Sequence, residues 1–353
     1  MNIQRVAYAE FHVEDARKSA DQLVSGYGFR IEDGYRRPGF GGPGPGPDSV
    51  LLVHGGVRLV VTGAAGVPAD HPVAEFVRRH GDGVAVIGVL CDDARAACAD
   101  AISRGAHLVD SDALSIALFG DVTLRFVQPD DPVLADAVAS VPAPSTPAPP
   151  QVEPPGGPFA AIDHVAVCVP SGRLAPTVEF CERTLGLRRI FSEYIEIGRQ
   201  GMDSVVVQSG SGEVTFTLLE PAAGRRPGQI DAFLAAHEGA GVQHLALRTG
   251  DIARAVRAFG SRDVDFLTTP AEYYDALEAR LGPTGIPLEA LRGLNVLVDQ
   301  DHGGQLFQIF ASSVHPRRTY FFELIERRGA GTFGTANIRA LYEAVERRRA
   351  AES

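Results

Sequence analysis

The stretch from Gly239 to Leu267, GAGVQHLALRTGDIARAVRAFGSRDVDFL, decides the fold, because it has a counterpart from Gly81 to Val109, GDGVAVIGVLCDDARAACADAISRGAHLV. Both read as a Gly-rich turn, a buried strand, an Asp-initiated amphipathic helix and a second strand. The helix follows Asp92 and Asp93 in the earlier copy and Asp251 in the later one. A further pair of strings matches: VAYAEFHVED from Val6 and DHVAVCVPSG from Asp163. Internal repetition of this kind marks a duplicated architecture. The expected fold is α+β. Each of two domains holds paired βαβββ units, with helices outside a strongly curved mixed sheet that closes a half-barrel around a site.

Between the copies lies VPAPSTPAPPQVEPPGGP, Val141 to Pro158. Proline at this density excludes helix and central strand and favours an extended linker. It separates an N-terminal domain, 1–140, from a C-terminal domain, 159–353. A second Gly/Pro cluster, PGFGGPGPGPDS at 38–49, reads as an exposed loop.

With 45% apolar and 22% charged residues, the chain has the composition of a globular protein. The net charge of −11 opposes nucleic acid or an anionic membrane surface as the main partner. It does not oppose a small anionic substrate, since a buried cation can set the local charge by itself. The N-terminal MNIQRVAYAEFHVED lacks the features of a signal peptide, and no apolar run reaches the ~20 residues of a membrane span. A cytoplasmic protein is expected, and a homodimer is compatible with the sequence. Cys91, Cys98, Cys168 and Cys181 form no CxxC pair and are expected reduced and mostly buried.

In the second domain one strand carries His164 in IDHVAV, another carries His244 in GVQHLAL, and YFFELIER near the end carries Glu323. A lone histidine on an apolar strand is more often a hydrogen-bonded core residue than a ligand. Glu323 weighs more, because an unpaired carboxylate within FFELI would be costly and a metal removes that cost. The three lie about 80 residues apart, a spacing that a repeat fold can return to one cavity. The matching positions of the first domain hold Tyr8, Val86 and a residue near Arg125, which bind no metal. Two imidazoles and one carboxylate on one face of a divalent ion leave three positions open, as in iron(II) oxygenases. Ligand type alone admits zinc as well; the absence of HExxH weighs against a zinc hydrolase. The other eight histidines are expected at the surface or in turns.

At these residues the chain resembles the 4-hydroxyphenylpyruvate-using, α-keto-acid-dependent dioxygenases of the vicinal oxygen chelate fold. The strings that carry the resemblance are IDHVAV, PGQIDAFL, GAGVQHLAL, TTPAEYYDAL, GGQLFQIF, YFFELIER and GAGTFGTANIRALYEAVER. The resemblance implies Fe(II) held by His164, His244 and Glu323, with 4-hydroxyphenylpyruvate and O₂ as substrates. It also implies a pocket with polar positions at Ser204, Thr217, Gln229, Gln243 and Gln308. Ser204 and Thr217 are candidates for the phenol end. Gln243 and Gln308 are candidates for holding the keto acid or orienting a ligand imidazole. Phe322 and Phe333 are expected to form an aromatic wall. Thr335 to Arg349 is expected to be a C-terminal helix that covers the pocket with Ile338, Leu341, Tyr342 and Val345.

Two activities share this scaffold. In one the ring is attacked and homogentisate forms; in the other the benzylic carbon is hydroxylated to 4-hydroxymandelate, a precursor of hydroxyphenylglycine in peptide antibiotics. Three departures from the first type favour the second. Thr217-Leu218-Leu219-Glu220-Pro221 replaces a Pro-Ile-Asn-Glu-Pro string, Ile338 rather than Phe follows Asn337, and MDSVVVQSGSGEVTFTLLEP from Met202 reads like the second type. Other readings are an extradiol dioxygenase, opposed by the C-terminal strings, and a metal-free ligand-binding module of the same fold. A smaller side chain at 338 would let the substrate ring tilt away and present its CH₂. Ile338→Phe is therefore expected to shift product from 4-hydroxymandelate towards homogentisate, read by chromatography; an unaltered product mixture rejects this role.

Overall fold

The structure, a computed structural model, describes residues 2–32, 35, 46–134, 154, 156–275, 277–333, 337, 339 and 340. Most of the Pro-rich linker, most of the 38–49 cluster and all but three residues of the 335–349 segment, Ile338 among them, lie outside the described residues.

Four βαβββ units follow one another. The first is β1 (Ile3–Val13), α1 (Ala16–Tyr27), β2 (Arg30–Glu32), β3 (Ser49–His54) and β4 (Val57–Gly63). Helix α2 (Pro72–His80) leads to the second: β5 (Gly83–Cys91), α3 (Ala94–Ser103), β6 (Leu108–Asp110), β7 (Ser115–Phe119) and β8 (Val122–Val127). The third is β9 (Phe159–Cys168), α4 (Leu174–Phe180), β10 (Arg188–Ile197), β11 (Gln200–Gln208) and β12 (Thr215–Pro221). Helix α5 (Gln229–His237) leads to the fourth: β13 (Gly241–Thr249), α6 (Ile252–Gly260), β14 (Leu297–Gln300), β15 (Gln305–Phe310) and β16 (Phe321–Arg328). Three short helices between Ala271 and Gly293 are inserted before β14.

Each pair of units makes one eight-stranded mixed sheet, in the orders β2-β3-β4-β1-β5-β8-β7-β6 and β10-β11-β12-β9-β13-β16-β15-β14. In both, the two leading strands pair antiparallel at the centre and each has a parallel outer neighbour. The helices start where the repeat placed them. Asp15, Asp93 and Asp251 accept backbone N–H groups of the first turns of α1, α3 and α6. Helix α4 lacks such a cap; Glu220 of β12 reaches across and accepts the N–H of Leu174 at 2.9 Å.

Strand alternation divides the side chains. Val165, Val167, Leu245, Leu247, Phe322 and Leu324 join the main core, which draws on both sheets. Phe11 against Phe322 and Phe119 against Phe216 bring side chains of the two sheets together. At the join, Gly56 donates its N–H to the Phe159 carbonyl at 2.7 Å, and a Cβ at 56 would lie 2.0 Å from the Ala160 oxygen. All four cysteines are buried and free. No helix among the described residues is long and apolar enough to cross a membrane.

The concave faces of the two halves hold different chemistry at equivalent places. Tyr8 pairs with Gly88 and Gly88 with Arg125, as His164 pairs with Ala246 and Ala246 with Glu323. Val86 stands opposite Thr123 as His244 stands opposite Phe321. The Arg125 guanidinium donates to the Tyr8 hydroxyl at 3.3 Å and to Asp131 at 2.7 Å. A fixed organic cation thus sits on the N-terminal face. The Tyr8 ring lies on Gly88, where a Cβ would come within 2.0 Å of it. Gly88→Ala should destabilise the fold by about 1–3 kcal/mol through overpacking. An unshifted midpoint in denaturant unfolding would show that the ring has room to move.

Candidate metal centre

His164, His244 and Glu323 come from β9, β13 and β16, three adjacent strands at the middle of the second sheet. One potential ligand atom from each lies within 4.8 Å of the others, and all three residues are buried. Both Nε2 atoms stand 3.3 Å from Glu323 Oε2. The imidazole rings meet edge on, 5.5 Å apart at 81°. Two neutral nitrogens and one carboxylate oxygen converging this closely suit a divalent transition metal. Among the described residues this is the one such cluster.

The electrostatics agree. Burial acts to raise the Glu323 carboxyl, but the His164 charge and bonds from both imidazoles hold it down at about 2. Burial acts to lower His164, yet Glu323 and Asp163 lift it to about 9. Burial and the neighbouring His164 leave His244 lowered, against the pull of Glu323. The same attraction that draws positive charge to this carboxylate would favour a divalent cation held by the three side chains, with both imidazoles neutral.

A β-bulge precedes each histidine. Ile162 pairs with Leu247 and His164 with Ala246, which leaves Asp163 as the extra residue. Val242 pairs with Val167 and His244 with Ala166, which leaves Gln243 extra. Adjacent side chains therefore turn to the same face instead of alternating. Asp163 Oδ1 lies 3.1 Å from His164 Nδ1, and Gln243 Oε1 lies 3.4 Å from His244 Nδ1. Each acceptor favours the Nδ1–H tautomer and leaves Nε2 free for a metal. Asp163 is itself clamped by Arg327, whose Nε and Nη2 donate at 2.9 and 2.8 Å. The same guanidinium binds the Thr332 carbonyl at 2.9 Å and lies 5.0 Å from the Phe333 ring centre.

The carboxylate has its own support. Gln308 Nε2 donates to Glu323 Oε1 at 2.7 Å, Asn337 Nδ2 donates to Gln308 Oε1 at 2.8 Å, and the Tyr273 hydroxyl donates to Asn337 Oδ1 at 2.8 Å. Gln308 had been read as a partner of the keto acid or of an imidazole. Both ends of its amide are instead committed to the carboxylate and to Asn337.

The small cavity at the cluster, about 40 Å³, is lined by Ser204, Thr217, Gln229, Gln243, Gln308 and Phe333 among others. The Ser204 and Thr217 hydroxyls are buried there without a protein hydrogen-bond partner. Phe333 meets His164 edge on at 4.7 Å. Phe322 is placed elsewhere. As the neighbour of Glu323 on a regular strand it points to the opposite face, into the core beside Phe11 and Tyr27. The aromatic ring that stacks on His244 is Phe321, 4.9 Å away, and Phe310 meets the same imidazole edge on at 6.0 Å.

Sequence reasoning missed Asp163, Arg327, Phe310 and Phe321. Asp163 was visible beside His164, but period-2 alternation argues against contact, and a bulge leaves no signature in IDHVAV. Four of the eight remaining histidines are not surface residues: His12, His54, His80 and His237 are buried. His80 and His237 end helices that look solvated in isolation. The two halves cover them, with the rings stacked at 4.2 Å and His80 Nδ1 2.5 Å from the His237 carbonyl oxygen.

A duplicated βαβββ scaffold with one cluster of this kind defines a protein of the Glyoxalase/Bleomycin resistance protein/Dioxygenase superfamily, whose sequence profile matches residues 161–290. The 4-hydroxyphenylpyruvate dioxygenase of Dictyostelium discoideum is 33% identical over 299 residues, covering 78% of this chain and 80% of that protein. The enzyme of that name from Danio rerio is 30% identical, covering 79% and 75%. The solved structure of a triple mutant of 4-hydroxymandelate synthase from Streptomyces coelicolor superposes with a TM-score of 0.82 at 40% identity, covering 99% of this chain and 100% of that one. The chain belongs to the 4-hydroxyphenylpyruvate dioxygenase family and is an enzyme of the dioxygenase type.

Asp163→Asn keeps the size of the side chain and removes its charge. It should weaken affinity for a divalent metal about 10- to 100-fold, as loss of an outer partner does elsewhere. Titration calorimetry with Fe(II) under argon, or with Co(II), checks this; unchanged affinity would reduce Asp163 to a structural ion pair with Arg327.

Proposed function

We propose that the chain is an iron(II)-dependent enzyme that oxidises 4-hydroxyphenylpyruvate with O₂ to 4-hydroxymandelate and CO₂. One oxygen atom enters the new carboxylate and the other the benzylic hydroxyl. One observation carries the reading. The cavity that holds the His164–His244–Glu323 cluster also holds two buried hydroxyls, on Ser204 and Thr217, that no protein group satisfies. A buried hydroxyl without a partner costs about 1–3 kcal/mol, and a ligand phenol reaching it removes that cost. A molecule that carries both a phenol and a metal-chelating keto acid would satisfy the hydroxyls and the cluster together.

Iron(II) held by His164, His244 and Glu323 would supply chelation of the keto acid and activation of O₂. The chain's own residues do the rest. Asp163 and Gln243 set the tautomers of the two imidazoles. Gln308 fixes the rotamer of Glu323. Met202, Leu219, Phe310 and Phe333 supply apolar wall, which excludes water from reactive species. Ser204 and Thr217 orient the phenol and so decide which carbon faces the metal.

The benzylic outcome is supported by full-length similarity to a 4-hydroxymandelate synthase at 40% identity. Ring attack to give homogentisate is the second reading, favoured by the relatives named as dioxygenases. Anaerobic loading with Fe(II), then addition of O₂ and 4-hydroxyphenylpyruvate, decides by chromatography. 4-Hydroxymandelate is expected; homogentisate instead establishes the second reading, and no consumption of keto acid overturns both. Ser204→Ala and Thr217→Val should each raise KM for 4-hydroxyphenylpyruvate about tenfold, equivalent to one lost hydrogen bond of about 1.4 kcal/mol. Equal KM values in steady-state assays would remove these hydroxyls from phenol recognition.

A further inference from the structure

We infer that Tyr273, on the first of the inserted helices, is a positioning residue that makes Glu323 a one-oxygen ligand by fixing the direction of the hydrogen bonds behind it. It touches no reacting atom. The inference rests on the metal site argued above, and its consequence for O₂ rests on the reading of function. The two oxygens of Glu323 keep different company. Oε2 faces both imidazole Nε2 atoms at 3.3 Å, and Oε1 accepts Gln308 Nε2 at 2.7 Å. A donor on Oε1 competes with a metal for that oxygen, so a cation between the imidazoles meets Oε2 alone. Half of an octahedral sphere then stays open.

An amide has a donor end and an acceptor end, and Gln308 turned end over end would set its oxygen against the carboxylate. Asn337 prevents this, because its Nδ2 donates to Gln308 Oε1 at 2.8 Å and holds that oxygen on the far side. The same ambiguity passes to Asn337, and Tyr273 removes it. The Val298 N–H of β14 donates to the Tyr273 hydroxyl at 2.9 Å, and Arg280 Nη2 from the next inserted helix donates at 3.2 Å. Neither group can accept, so both lone pairs of the hydroxyl are taken and its proton must point elsewhere. Two acceptors lie at 2.8 Å, Asn337 Oδ1 and the Val298 carbonyl. The Val298 carbonyl already accepts Arg280 Nη2 at 2.9 Å, which makes it the poorer acceptor, and the proton goes to Asn337. Burial pushes the Tyr273 hydroxyl up to about 12, so that proton is present at neutral pH. Donation therefore runs one way, from Val298 and Arg280 through three side chains to Glu323, each link polarising the next.

The test counts the waters on an ion bound to the full chain. With Mn(II) as the probe, the relaxation rate of water protons reports how many positions of the ion stay open. Tyr273→Phe keeps the ring and removes the hydroxyl. Glu323 can then lend Oε1 to the ion as well, and relaxivity per bound ion should fall by about one third, one open position of three. Arg280 is exposed, and Arg280→Met should lower relaxivity by less, because the Val298 carbonyl then competes for the proton. Arg280→Lys restores a donor and should return the wild-type value. Gln308→Leu should match Tyr273→Phe, and the two together should fall no further. With Fe(II), Tyr273→Phe should lower kcat/KM for O₂ about tenfold. Affinity for 4-hydroxyphenylpyruvate under argon should stay within about twofold, since the chelating keto acid still finds two positions. Relaxivity unchanged in both Tyr273→Phe and Arg280→Met overturns this role, and so does a fall in Tyr273→Phe that adds in full to that of Gln308→Leu. Should Tyr273→Phe not fold, Arg280→Met decides alone. Wild-type protein that binds no divalent metal overturns the metal site and the relay together. Keto acid left unconsumed by Fe(II)-loaded wild-type protein overturns the functional reading alone, because relaxivity is read without turnover.

Discussion

A carboxylate with 1% exposure in the middle of a β-sheet is the constraint from which the rest of the C-terminal half follows. Glu323 on β16 has no access to water, and an uncompensated charge there would cost several kcal/mol. The polar groups bonded to it answer that charge. Two imidazoles face one oxygen, a glutamine amide binds the other, and behind the glutamine stand Asn337 and Tyr273. The support reaches from the sheet through the inserted helices to the final described residues. A site so enclosed has rigid ligands, as a metal with preferred geometry requires.

The N-terminal half meets an equivalent problem with other means. Arg125 replaces Glu323, Tyr8 replaces His164, and Val86 replaces His244. The guanidinium brings its own positive charge, and Asp131 balances it. One half holds a carboxylate suited to a cation from solution; the other has a cation covalently built in. This is why the two sheets share strand order and register while, among the described residues, only the second presents a candidate metal centre.

Much of this was legible in the residues. The repeat between Gly81 and Gly239 gave the βαβββ unit and its pairing within each domain, and it pointed to Tyr8, Val86 and a residue near Arg125 as the counterparts of the three cluster residues; the strand order of each sheet came from the structure. An apolar strand containing one glutamate pointed to a buried charge. What stayed hidden depended on geometry that one-dimensional patterns do not carry. Phe322 was assigned to the pocket by its closeness to Glu323 in sequence, whereas a regular strand sends neighbours to opposite faces. Asp163 was passed over for the complementary reason, because its strand is irregular at that point. His80 and His237 read as solvated helix ends because contact between the two halves has no local signature.

The irregularities recur at the same places in both halves. Ala7 and Ala85 are the extra residues on β1 and β5, where Asp163 and Gln243 are extra on β9 and β13. A residue in a regular ladder is bound to its neighbours twice over, by pairing and by alternation, so changing its role disturbs the whole strand. A supernumerary residue answers to neither. It is a vacant socket on an otherwise inflexible frame: alanine leaves it silent, an acid or an amide turns it into a prop for the next imidazole. New chemistry could be fitted into this scaffold by exchanging one side chain, with the surrounding hydrogen-bond lattice left as it was.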